Sequence, residues 1–140
     1  AAAGAALAAF HAERPEFEIW VEPGRFLVAD AGVLLARVTQ VKRKGDVRYV
    51  GLDAGMNSLV RPALYQAHHD IVNLSRLGAP DAGPAEIVGP ICETGDAFAH
   101  GRPFPEAAEG DVVVVATAGA YGAVMASNYN RRPPADEVTM

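Results

Sequence analysis

The sequence holds one cysteine, Cys92, among 140 residues. That excludes an internal disulfide and a cysteine-rich zinc site, and it fits a reducing, cytoplasmic setting. No apolar run approaches the ~18 residues that a membrane span needs. The apolar opening, Ala1–Phe10, lacks the positive flank of a signal peptide. Positive charge is not in excess either: twelve Lys and Arg stand against seventeen Asp and Glu, a net charge of −5. Such a surface does not advertise for nucleic acid or anionic lipid. Repeats, low-complexity tracts and coiled-coil heptads are also missing. What is present is a chain that is half hydrophobic, enough for the core of about one domain.

The opening AAAGAALAAFHAE reads as a helix weakened by Gly4, because alanine is the best helix former. Its Ala/Leu/Phe face needs a partner, and the extended run at Val138–Met140 has scarcely begun, so both ends are expected to be cut. After Arg14-Pro15, alternation of Phe17, Ile19 and Val21 with Glu18, Trp20 and Glu22 predicts a strand. A Glu22-Pro23-Gly24-Arg25 loop follows, and the apolar spacing of Phe26–Ala36 predicts a second helix. This is the grammar of an α/β unit. Beyond Ala36 the pattern turns to strands: Arg37–Arg43 and Val47–Leu52 around a Lys44-Gly45-Asp46 hairpin, then His69–Arg76, Ala85–Val88 and Val112–Ala116. The last lacks alternation, so both faces are expected to be buried. Gly78–Pro84 and Gly101–Pro105 read as loops.

Several strings carry possible chemistry. Glu22-Pro23-Gly24-Arg25 lies between a predicted strand and helix, where backbone N–H groups favour anions and glycine permits close approach. A Pro-Gly turn is also an ordinary connection. Arg61 and Tyr65 share a face if helical, offering a guanidinium and a phenol to a carboxylate, or simply a cation over a ring. Adjacent residues His68 and His69 would point to opposite faces of a strand, which argues against a shared metal, and no HExxH spacing is present. Cys92-Glu93 lies in the Gly/Pro-bounded string GPICETGD. A thiol there can move a proton, and a carboxylate can pair with an ammonium, although a buried inert cysteine is equally common. Tyr121 sits between Gly119 and Gly122, either open to a cleft or packed in the core.

Taken in order, EPGR, MNSLVRPALYQAHHDI, GPICETGD and AGAYGAVMASNYNRRP resemble the C-terminal part of the diaminopimelate decarboxylases. These are fold-type III enzymes that use pyridoxal 5'-phosphate to convert meso-2,6-diaminopimelate to L-lysine and carbon dioxide. The resemblance runs from about Ile19 to Pro133. It implies an α/β remnant of a (β/α)8 barrel in residues 1–36, its last strand at Phe17–Val21. An all-β, barrel-like C-terminal domain would follow in residues 37–140, truncated at its end. It places Glu22, Gly24, Arg25 and Tyr121 at the cofactor. Arg25, Arg61, Tyr65, Glu93 and Tyr121 would hold the substrate. Cys92 would return a proton to the substrate carbon after carbon dioxide leaves. No metal is implied. The partner implied is a second copy, since Cys92 and Glu93 serve the neighbouring subunit's site in a homodimer with shared active sites.

Three positions depart from the family pattern: Ser58 where Asp is usual, His68 where Tyr is usual, and Thr94 where Ser is frequent. The only lysines are Lys42 and Lys44, both in the polar hairpin. The family's cofactor-binding lysine therefore lies outside this sequence, and the chain by itself is expected to be inactive. Two rival readings are an ornithine- or arginine-type decarboxylase, which usually carries Cys-Asp in place of Cys92-Glu93, and a non-catalytic, decarboxylase-like regulatory partner.

Overall fold

The structure is a computed structural model that describes residues 2–140. The alanine-rich start forms helix α1, Ala2–Glu13, with no buried residue. The strand expected at Phe17–Val21 is not formed. A strand needs a neighbour for its N–H and C=O groups, and among the described residues none pairs with this segment. Trp20 is 84% exposed and Phe26 87%. The helix expected over Phe26–Ala36 is also replaced. Residues 24–28 turn, Ala29–Ala31 make one 3-10 turn, and Gly32 is extended. From Leu34 the alternation of Leu34, Ala36 and Val38 inward with Leu35 and Arg37 outward sets the period of a strand.

Six strands make one sheet: β1 Leu34–Lys44, β2 Val47–Leu52, β3 Ile71–Asn73, β4 Asp81–Val88, β5 Ala97–Pro105 and β6 Val112–Val115. Their order is β3-β6-β1-β2-β4-β5. The long β1 joins the two halves. Residues 34–37 pair antiparallel with β6, and from Val38 onward the strand pairs with β2 across a register shift. The β1–β2 hairpin turns at Gly45-Asp46 as its sequence predicts, with Gly45 at φ +60°. β2 and β4 are parallel, and every other pair is antiparallel. The edge strands approach each other: Arg102 of β5 donates to the His69 carbonyl just ahead of β3 at 3.0 Å. The sheet is thus nearly closed around Val38, Val50, Leu52, Ile87, Phe104, Val113 and Val115.

Three strand expectations change, the first because Asp81–Pro84, in the loop expected at Gly78–Pro84, is the start of β4. His69–Arg76 is a strand only over Ile71–Asn73, after which Asn73 accepts from the Ser75 N–H and starts a 3-10 turn. Gly101–Pro105 is not a loop but the second half of β5. Proline lacks the ladder donor and is tolerated on an edge strand, and β5 is an edge. In β6, Val113 and Val115 are fully buried, whereas Val112 and Val114 are half-buried.

Candidate active site

The stretch Gly55–Tyr65 organises the candidate site. It leaves β2 and ends in a short helix, α2, Arg61–Tyr65. Pro62 suits the first turn of a helix, where its missing N–H costs nothing. The helix stops as Gln66 enters the left-handed region at φ +54°. Within α2 the guanidinium of Arg61 lies 5.6 Å from the Tyr65 ring centroid, as the four-residue spacing predicts. It also lies 5.7 Å from the ring of Tyr121. One cation is therefore flanked by two phenols from separate parts of the chain.

Tyr121 connects this group to the Glu22–Arg25 loop. Its own φ is +59°, unusual for a residue with a side chain, so the loop imposes its conformation. Backbone bonds from Ala118 N–H to the Gly32 carbonyl, and from Gly119 N–H to the Ala29 carbonyl, tie this loop to the segment after Arg25. Gly24 has φ +57°, and a Cβ there would sit 3.4 Å from the Tyr121 hydroxyl. Glycine relieves the backbone strain and keeps the space beside that hydroxyl open. Arg25 and Glu22 are exposed and make no side-chain hydrogen bond among the described residues. A phenol, a guanidinium and an open glycine backbone are a donor set that fits a phosphate group.

Cys92 and Glu93 lie on the loop between β4 and β5. Cys92 is exposed. Glu93 accepts a hydrogen bond from the Tyr129 hydroxyl at 2.9 Å, and that bond, with the carboxylate's charge, raises the Tyr129 pKa. The loop is anchored from inside by Asp96. Its buried carboxylate accepts from the Ile91 N–H and from the Met56 N–H, both at 2.6 Å. Burial raises the Asp96 pKa, and the two N–H donors offset only part of that. Space for the carboxylate exists because both residues beside it are glycines: a Cβ on Gly55 would stand 2.7 Å from an Asp96 oxygen, and one on Gly89 would collide with it.

The same stretch holds the far end of the chain. Asn57 donates to the Arg132 and Pro133 carbonyls, and its own carbonyl accepts from the Ser127 N–H. Ser58 accepts from the Ala135 N–H at 2.9 Å. Met56, Asn57 and Ser58 thus fix two loops at once, one bearing Cys92 and Glu93 and the other bearing Tyr129. Asp96, Asn57 and Tyr129 were not marked by sequence reasoning. The available signal was the pair Gly55 and Gly89, whose smallness only the fold explains. His69 is buried, its Nδ1 on the Ala116 carbonyl at 2.8 Å, while His68 meets Asp70 and Arg102 at the surface. Both precede β3, so the strand alternation expected to separate them does not apply; their hydrogen bonds go to different partners.

A family model described as the pyridoxal-dependent decarboxylase C-terminal sheet domain matches residues 25–119. The chain belongs to this family. This decarboxylase domain is 50% identical over 117 residues to the diaminopimelate decarboxylase of Zymomonas mobilis, covering 84% of the chain and 27% of that protein. It is 51% identical over 119 residues to the one from Pseudomonas aeruginosa, covering 84% and 28%. Among solved structures, the diaminopimelate decarboxylase of Helicobacter pylori complexed with L-lysine superposes with a TM-score of 0.74 at 42% identity, covering 81% of the chain and 27% of that chain. The Aquifex aeolicus protein AQ1208 superposes with a TM-score of 0.82 at 42% identity, covering 92% and 32%. The chain thus spans roughly a quarter to a third of the length of these relatives.

Proposed function

We propose that this chain is the C-terminal portion of a diaminopimelate decarboxylase, a pyridoxal 5'-phosphate-dependent carboxy-lyase that converts meso-2,6-diaminopimelate to L-lysine and carbon dioxide. The observation that carries the reading is the convergence of three separated motifs, with Arg61 between Tyr65 and Tyr121 and Tyr121 against Gly24. Relatives named for this activity at 50% and 51% identity support it. The sequence Cys92-Glu93 favours it over the ornithine- and arginine-type alternative, which usually carries Cys-Asp there. A non-catalytic regulatory partner would have no chemical need of the Cys92, Glu93 and Tyr121 set.

The segment ahead of Leu34 is then the end of the cofactor-binding barrel, and the sheet domain starts with β1, three residues before the boundary expected after Ala36. Gly24, Arg25 and Tyr121, with Glu22 beside them, hold the cofactor end of the site. When bound, pyridoxal phosphate supplies the electron sink that lets carbon dioxide depart. Arg25 and Arg61 recognise carboxylate, because a guanidinium offers a fork of donors. Tyr65 and Tyr121 flank Arg61 and fix its direction. Glu93 reads the ammonium at the non-reacting end of the substrate. The Cys92 thiol donates a proton to the substrate carbon that lost its carboxylate. In this reading Cys92 and Glu93 complete the neighbouring subunit's site in a homodimer, while Arg61, Tyr65 and Tyr121 serve the site of their own subunit.

The test uses the complete enzyme carrying this sequence, loaded with cofactor. Glu93→Gln is expected to weaken substrate use by about 2–5 kcal/mol, the cost of stripping one partner from a charge pair, with cofactor absorbance retained. Cys92→Ala is expected to slow carbon dioxide release with cofactor still bound. Loss of cofactor with substrate affinity intact would contradict the Glu93 assignment, and undiminished turnover would remove Cys92 from the acid role.

A further inference from the structure

We propose that Tyr129 is a positioning residue that fixes the direction of the Glu93 carboxylate and so sets selectivity for a substrate with a distal ammonium; this rests on the reading of Glu93 given above. The Tyr129 hydroxyl donates to Oε2 of Glu93 at 2.9 Å. The other oxygen, Oε1, makes no hydrogen bond among the described residues, so it remains available to a ligand. A carboxylate at the tip of an exposed loop has several rotamers, and ordering it on binding costs affinity. A phenol already bonded to one oxygen removes much of that cost and orients the second.

The chain restrains Tyr129 more than packing alone demands. It begins a short turn, Tyr129–Arg131, in which Asn130 and Arg131 adopt φ of +55° and +58°. Two successive non-glycine residues in the left-handed region cost energy, and such strain persists only where surrounding contacts over-determine it. Those contacts are the Asn57 bonds to the Arg132 and Pro133 carbonyls and the Ser127 N–H bond to Asn57. The same stretch, one residue earlier, gives its Met56 N–H to Asp96 under the Glu93 loop. Phenol and carboxylate are therefore referenced to one rigid segment, which preserves their mutual geometry. The bond to Glu93, with that carboxylate's charge, raises the Tyr129 pKa, the direction expected of a phenol that donates to a carboxylate.

In the complete enzyme with cofactor bound, Tyr129→Phe is expected to raise KM for diaminopimelate about 3–10-fold, less than the full weight of a hydrogen bond to a charged group because the phenol acts on the substrate only through Glu93. kcat is expected to stay within about twofold, since the chemistry lies at the other end of the substrate. The inhibition constant of 2-aminopimelate, which lacks the distal ammonium, is expected not to change. In a Glu93→Gln background the same change is expected to add less than about twofold, because the phenol then has no carboxylate to orient. An unchanged KM, equal losses toward both ligands, or full additivity with Glu93→Gln would overturn the role of Tyr129 while leaving Glu93 as the ammonium reader. A parent enzyme that releases no carbon dioxide from diaminopimelate would sink the underlying reading and this proposal with it.

Discussion

Asp111 and Asp96 show how one residue type acquires opposite characters. Asp111, just ahead of β6, accepts from the Asn73 amide, the Arg76 Nε and the Ala108 N–H at 2.9, 2.6 and 2.9 Å. Burial alone would raise its pKa. The hydrogen bonds from Arg76, Asn73 and Ala108, with the Arg76 charge, outweigh burial and bring it to about 2. Its folded pKa lies below the unfolded value, so it stabilises the fold above about pH 4 and loses that contribution as pH falls toward 2. The loss is on the order of 1–2 kcal/mol after allowance for solvent screening. Asp96 runs the other way: burial raises its pKa, so its contribution is greatest at low pH and is lost as pH rises through the folded pKa. A carboxyl NMR titration is expected to place Asp96 above the ordinary aspartate range and Asp111 below it; the reverse order would contradict both networks. Neither role could be read from the sequence. Asp96 needs Met56, forty positions away, and Asp111 needs Arg76, thirty-five away. The Arg61–Tyr65 pair, by contrast, was legible because four residues on one helix fix its geometry.

Among the secondary elements, legibility follows the range of the deciding interaction. The β1–β2 hairpin was visible because Gly45 and the flanking alternation are local. β5 was hidden, since its Gly and Pro residues resemble a loop until its place at the sheet edge is known. Phe17–Val21 alternates like a strand, but alternation only permits pairing and cannot supply a neighbour. The β5 edge is held by another long-range device. Arg48 of β2 is 2% exposed and donates to the carbonyls of Pro105, Gly83 and Phe104 at 2.9, 2.7 and 2.5 Å. Its charge is also 3.6 Å from Glu106. Arg48→Met preserves much of the volume but leaves these carbonyls without their donor, at a cost of about 2–3 kcal/mol. Urea unfolding is expected to show a clearly lower midpoint for Arg48→Met than for Arg43→Met, whose guanidinium meets Glu106 in an exposed pair. Equal midpoints would show that Arg48 is not the brace of this edge.

At the scale of the whole molecule, apolar surface divides the chain unevenly. The sheet encloses its core, whereas Phe17, Trp20, Val21, Phe26 and Leu27 in the segment before it are all exposed. So many large apolar side chains exposed in one short segment call for cover, and without it they favour association. We propose that the cover is the remainder of the barrel, with Phe17–Val21 taking its place as a barrel strand beside neighbours supplied there. Trp20 is the only tryptophan of the chain, so it reports this directly. In the isolated chain its fluorescence is expected to match that of tryptophan in water and to be readily quenched by acrylamide. In the complete enzyme, with any other tryptophan replaced by phenylalanine, the emission is expected to move to the blue and quenching to weaken severalfold. An identical spectrum in both settings would mean that this segment stays at the surface, and the residues ahead of β1 would then have to be something other than the end of a barrel. A blue shift would show that Trp20 is covered in the complete enzyme, as the alternation of Phe17, Ile19 and Val21 requires of a strand packed into a barrel.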